Sequence, residues 1–126
     1  MPLQDALSRA RAWVLDDPDE ATSAEVTALC HAAEQGDDAA SAELIDRFAG
    51  TLEFGTAGLR GALGAGPNRM NRVVVTRAAA GLAAYLRDTG HAGGSVVIGF
   101  DARHNSDVFA RDTAEIMTGA GVKALV

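Results

Sequence analysis

Two apolar runs, SVVIGF at 95–100 and VKALV at 122–126, flank a single helix-length segment, and this spacing constrains the fold more than any other feature. SVVIGF is β-branched and unbroken by charge, the pattern of a central strand covered on both faces. DARHNS follows it as a loop, with Asn105 or Ser106 placed to cap a helix over about Asp107–Met117. That helix sets Phe109, Thr113 and Ile116 on one face, GAG ends it, and VKALV begins the next strand. Strand, helix and strand in this order form a right-handed parallel crossover.

Upstream, LEF at 52–54 opens a short strand that glycines interrupt. Asn71 is placed to cap a helix through RVVVTRAAAGLAAYLRD, where Val75, Ala79, Leu82 and Leu86 form one stripe. This helix is apolar nearly all round, so burial is expected, and Gly81 in its middle suggests a close-packed neighbour. The order β-α-β-α-β predicts an α/β fold with a mixed, partly parallel sheet and flanking helices. The loops GTAGLRG and DARHNS both follow strands and are expected to share the ligand-gathering edge of that sheet.

Residues 1–50 read as an acidic helical extension of two or three short helices. Leu3, Leu7, Ala10 and Val14 recur at helical spacing, with Trp13 and Leu15 beside them. DDPDEATSAEV stops one helix and starts another, with Pro18 suited to a first turn and acids to a helix N-terminus. GDDAASAELIDRFAG repeats the theme. The domain division is therefore 1–50 for the extension and 51–126 for the strand-bearing portion.

Charge divides along the same line. The net charge of -6 combines -8 over residues 1–50 (eleven acids, three bases) with +2 over residues 51–126 (six acids, eight bases). No acid lies between Glu53 and Asp88, whereas Arg60, Arg69, Arg72, Arg77 and Arg87 do. Arg77 and Arg87 fit a solvated helix face equally well. Without interleaved aromatics, and on an acidic chain, these arginines fit a small anion better than a nucleic acid. No long apolar run suggests a membrane partner. Cys30 is the single cysteine, which suits a reducing cytoplasm and helix packing; its neighbour His31 lacks companions for a metal site.

LEFGTAGLRGALGAGPNRMN, residues 52–71, carries five glycines. Gly55, Thr56, Ala57, Gly58 and Arg60 offer a phosphate inward-turned amides, a hydroxyl and a planar guanidinium fork. A glycine hairpin with a surface arginine accounts for the composition equally well. The stretch has neither the lysine of a Walker loop nor the spacing of a dinucleotide fingerprint. Asp101 and Arg103 are placed to hold one another; a base at Asp101 or a relay with His104 lacks a nucleophile, since Ser106 reads better as a helix cap.

FGTAGLRG, then GAGPNRMNR, then IGFDARHNSDVFA, together resemble the α-D-phosphohexomutases, the phosphoglucomutases and phosphomannomutases. The likeness runs continuously over residues 52–126. The acidic start resembles the longer phosphoglucomutase and phosphopentomutase-like branch. The resemblance implies a four-domain enzyme that interconverts hexose 1-phosphate and hexose 6-phosphate through a phosphoserine and a sugar bisphosphate. It implies Mg2+ held by aspartates of a later domain. Arg60, Thr56 and Gly58 would then bind the sugar phosphate, while Asp101, Arg103 and Ser106 would brace the catalytic loop.

The family's serine loop, metal aspartates and sugar-selecting loop have no counterpart in these residues, so no catalytic or metal-binding residue is assigned. VKALV ends as a strand, which leads to the expectation of an N-terminal part of domain I, inactive alone. Its partners would be a sugar phosphate, the remaining domains of the parent enzyme and, through an open strand edge, a second copy. A phosphopentomutase, or a free-standing module binding a phosphorylated ligand or a protein, remains as the alternative.

Overall fold

The structure, a computed structural model, describes residues 1–126. Five helices and four short strands follow in order: α1 (Leu3–Asp16), α2 (Glu20–Glu34), α3 (Asp38–Phe48), β1 (Phe54–Gly55), β2 (Gly58–Leu59), α4 (Arg72–Asp88), β3 (Ser95–Val97), α5 (Ser106–Gly119) and β4 (Lys123–Leu125). The fold class is α/β, as the element pattern implies. The chain divides into two compact units, Met1–Val74 and Val75–Val126.

In the first unit, α1, α2 and α3 pack on one another. Their inward residues are Ala6, Leu7, Ala10 and Trp13, then Val26, Cys30 and Ala33, then Ala40, Leu44 and Phe48. Trp13 meets Phe48 edge to face, with ring centroids 6.0 Å apart and planes at 86°, an arrangement that suits the ring quadrupoles. The helix boundaries follow from the aspartates. Asp19 accepts the amide of Ala21 at 2.9 Å, and Asp37 that of Ala40 at 3.1 Å, so each occupies an otherwise unmet donor of a first turn. Pro18 lies just before the Asp19 cap of α2 rather than within the helix. Leu15, read as part of the apolar set of α1, is 87% exposed.

The LEF strand does not join the later strands. β1 pairs antiparallel with β2, Phe54 opposite Leu59 and Gly55 opposite Gly58, and β3 pairs only with β4. The physical cause is local. Gly58 takes a φ of 93°, which lets the chain double back over Thr56 and Ala57 and satisfy its amides on its own return arm.

In the second unit, β3 and β4 run parallel with Ser95, Val96 and Val97 opposite Lys123, Ala124 and Leu125, joined through α5. The Ile98 amide extends the ladder to the Leu125 carbonyl at 2.8 Å. Ala79, Ala83, Met117 and Val122 form the core, with Leu86, Val96, Ile116 and Ala124 against it. Two burial expectations are overturned. β3 is covered on the Val96 face alone, because the helical core packs on that face and not on the one carrying Ser95 and Val97, and Val97 is 80% exposed. On α4 only Val73, Ala79 and Ala83 are buried, whereas Leu82 and Tyr85 are exposed, since partners pack on one stripe rather than all round. Gly81 admits no close neighbour either: a Cβ there would meet nothing within 4 Å.

Candidate functional site

The hairpin of residues 54–60 carries the first set of candidate residues. Thr56, Gly58 and Arg60 are all exposed on it. Neither the Thr56 hydroxyl nor the Arg60 guanidinium has a partner within the protein, which separates Arg60 from the other arginines of the acid-free stretch. Arg69 is not a free cation: it pairs with Glu43 at 3.3 Å and with Asp46. Arg87 lies 3.6 Å from Asp88, and Arg72 and Arg77 are engaged as well. The acids that neutralise Arg69 come from α3, an element too distant in sequence for the local charge pattern to show.

The glycines separate into two groups by what they do. Gly55 and Gly58 form the turn. Gly64 and Gly66 are joints against α3: a Cβ on Gly66 would stand 3.0 Å from the Arg47 Cβ and 3.1 Å from its carbonyl oxygen. The buried Asn71 amide donates to the carbonyls of Gly64 (2.8 Å) and Gly66 (2.7 Å), while its oxygen accepts the Val74 amide at 3.0 Å. The helix-capping role of Asn71 is legible from sequence; its hold on the preceding turn is not, because only the fold brings those carbonyls to it.

Arg47 and Glu25 were also missed. Arg47 sits with a side chain 14% exposed among Glu25, Glu43 and the Ala65 carbonyl. Burial works against its charge, but the hydrogen bonds with Glu43 and Glu25 outweigh that and hold its pKa above the ordinary value. The Arg47 hydrogen bond in turn holds the Glu43 carboxyl below its ordinary range.

The second set lies in the loop after β3. The Asp101 carboxylate accepts the Arg103 amide at 3.0 Å and the Arg103 Nε at 2.9 Å, and the Asp101 amide donates to the Ser106 Oγ at 3.0 Å. The Arg103 amide is the main reason the Asp101 pKa lies below its ordinary value. A carboxylate held in this way is a poor proton acceptor. Ser106 is not a helix cap: it begins α5, and its hydroxyl closes the loop instead. Asn105 occupies the cap position at a φ of 65° without a side-chain cap bond. Asp101, Arg103 and Ser106 are thus brought together in the second unit, and Thr56, Gly58 and Arg60 in the first.

The hairpin thus exposes an unpaired cation beside a glycine turn, and the Asp101 loop is a hydrogen-bonded strand-to-helix connection. Residues 51–126 match the family described as phosphoglucomutase/phosphomannomutase, alpha/beta/alpha domain I. A probable phosphomannomutase of Haemophilus influenzae is 67% identical over 55 residues, which is 44% of this chain and 11% of that protein. A phosphoglucomutase of Staphylococcus haemolyticus is 46% identical over 76 residues, 60% of this chain and 14% of the relative. The phosphoribomutase of Saccharomyces cerevisiae is 40% identical over 111 residues, 88% of this chain and 17% of the relative. The chain therefore spans less than a fifth of the length of these relatives. No solved structure matches it. Because the domain match takes in more than half of the sequence, the chain belongs to the phosphoglucomutase/phosphomannomutase family.

Proposed function

We propose that the chain is the N-terminal part of a sugar-phosphate mutase and that its 54–60 hairpin receives phosphoryl oxygens. One observation carries the reading: Arg60 alone among the arginines between Glu53 and Asp88 is exposed and unpaired, at the foot of a glycine turn beside an unpartnered Thr56. In this proposal residues 1–50 form a helical extension and 51–126 belong to domain I. Arg60, Thr56 and Gly58 bind the substrate phosphate, while Asp101, Arg103 and Ser106 brace a loop.

The parent enzyme would interconvert hexose 1-phosphate and hexose 6-phosphate by phosphoryl transfer through a sugar bisphosphate, in the cytoplasm. Arg60 contributes charge stabilisation and orientation to such a transfer. Mg2+ belongs to this proposal only through the family. No group of three or more His, Cys, Asp or Glu residues here could hold the ion, so the chain's residues do not fit it. The chain alone is expected to be inactive.

The test is a titration of the 126-residue chain with glucose 1-phosphate, following backbone amide resonances. Shifts are expected at residues 55–61, and Arg60→Ala should weaken binding by about ten- to a hundredfold, the worth of a charged hydrogen bond. Shifts confined to other regions would refute the reading.

A pentose phosphate is the second reading, favoured by the phosphoribomutase match, which at 88% of the chain takes in more of it than the other two relatives described. The ratio of kcat/KM for ribose 1-phosphate and glucose 1-phosphate in the parent enzyme separates the two. The proposal also includes self-association through the outer edges of β3 and β4, each of which has one strand neighbour. A strict monomer in light scattering at high concentration would exclude it.

A further inference from the structure

We propose that Arg47, on α3, is a positioning residue for the phosphate-receiving hairpin and acts through the turn at residues 65–70. The inference rests on the functional reading of that hairpin.

Arg47 and Glu25 grip one residue, Ala65, at both of its backbone groups. The Arg47 Nη1 donates to the Ala65 carbonyl at 3.2 Å, and the Glu25 Oε2 accepts the Ala65 amide at 3.3 Å. The two side chains are themselves ion-paired, and Ala65 is fully buried. The Arg47 carbonyl accepts the Asn68 amide at 3.1 Å, so the same residue holds the turn at a second point. Gly64 and Gly66 on either side of Ala65 are what permit this approach. A Cβ at Gly64 would lie 3.1 Å from the Arg47 Nη1, and Gly66 has a φ of 106°.

The gripped turn in turn holds both roots of the hairpin. The Leu52 amide, two residues before β1, donates to the Pro67 carbonyl at 3.0 Å. The Ala62 carbonyl, two residues after Arg60, accepts the Met70 amide at 2.8 Å. Gly61 closes the base against the Leu52 side chain, where a Cβ would be 2.7 Å from Cδ1. The hairpin tip has no such ties, so the placement of Arg60 is set at its roots. Glu43 and Asp46 complete the arrangement by neutralising Arg47 and Arg69, which leaves Arg60 as the cation available to an anion. A cleft that orients a phosphoryl group loses rate when its supporting contacts loosen, even where the binding side chain is intact.

The experiment combines amide hydrogen exchange with glucose 1-phosphate titration on the 126-residue chain. The variants are Arg47→Ala, Arg47→Lys and Glu25→Gln, with Arg11→Ala as a control that breaks the exposed Arg11–Glu34 pair. Arg47→Ala and Glu25→Gln should speed exchange at Leu52 and Met70 and weaken glucose 1-phosphate binding, each by about tenfold or more, as loss of a charge-assisted hydrogen bond implies. Arg47→Lys should recover part of the affinity, and Arg11→Ala should change neither quantity. If Arg47→Ala does not fold by circular dichroism, Glu25→Gln decides, since that carboxylate is 38% exposed.

Faster exchange with unchanged affinity would make Arg47 a structural brace and overturn the proposal. So would wild-type exchange in both variants. If Arg60→Ala abolishes binding while the Arg47 and Glu25 variants bind normally, this inference alone fails. If the wild-type chain shows no response at 55–61, the functional reading falls and takes the inference with it.

Discussion

Asn71 concentrates more of the local order than any other single side chain near the hairpin. It is 3% exposed, and its amide and oxygen serve the carbonyls of Gly64 and Gly66 and the Val74 amide in the first turn of α4. Asn71→Ala removes a helix cap, takes the side-chain donor from the Gly64 carbonyl and leaves the Gly66 carbonyl with the Arg69 amide at 3.2 Å. Each of these losses costs about 1–2 kcal/mol, so a total of about 2–4 kcal/mol is expected in urea denaturation. Asn71→Asp separates the two roles, because it keeps the cap acceptor but sets a negative charge against two carbonyl oxygens. It should therefore remain well below wild type in stability; near-wild-type stability would mean that the cap alone matters. Only the cap was legible in the sequence, as an Asn immediately before a helical apolar stripe. The carbonyl bonds depend on the positive φ of Gly66, which composition does not reveal. The same limit explains Arg69, whose partners Glu43 and Asp46 are acids of a different helix.

At the level of the element, periodicity was a sound guide to the extent of helices and a poor guide to their surroundings. The RVVVTRAAAGLAAYLRD pattern gives α4 its observed bounds, Arg72–Asp88, because cap and stripe are local signals. Its burial was misjudged because alanine reads as apolar without demanding a neighbour, and Leu82 and Tyr85 in fact face outward. The strand read at LEF begins only at Phe54 and ends at Gly55, and its pairing was not foreseen, since hairpin closure at Gly58 depends on a left-handed residue rather than on hydrophobic alternation. Two glycine substitutions follow from this contrast. Gly81→Ala fills open space within a helix and should stabilise by about 0.5–1 kcal/mol through propensity and a less flexible unfolded chain. Gly66→Ala meets the Arg47 backbone at a φ of 106° and should destabilise by more than 1 kcal/mol, at the order of about 1–3 kcal/mol for backbone strain. Thermal melts of both variants test the pair, and a destabilising Gly81→Ala would contradict the open surroundings of α4.

Across the whole molecule the two compact units differ in what they bury. The first unit encloses Leu7, Trp13, Val26, Leu44, Phe48 and Val73, while the large side chains buried in the second are Met117 and Val122. At about 1.5–3 kcal/mol per large apolar side chain, this favours the first unit by about 6–12 kcal/mol before conformational entropy is counted. The first unit also holds the ion pairs of Arg47 and Arg69, whereas the ion pair in the Asp101 loop is exposed and contributes little. Opening of the second unit should therefore occur without opening of the first. Native-state hydrogen exchange provides the measure: amides of Ile98 and Lys123, both bonded across the β3–β4 ladder, should exchange well before those of Val26 and Leu44. The Gly81→Ala variant sharpens the test, since a change in α4 should slow exchange in β3 and β4 and leave α2 and α3 unaffected. Equal protection across both sets, rising together in the variant, would mean that the chain opens as one cooperative body, and the difference in buried side chains would then have no consequence for its dynamics.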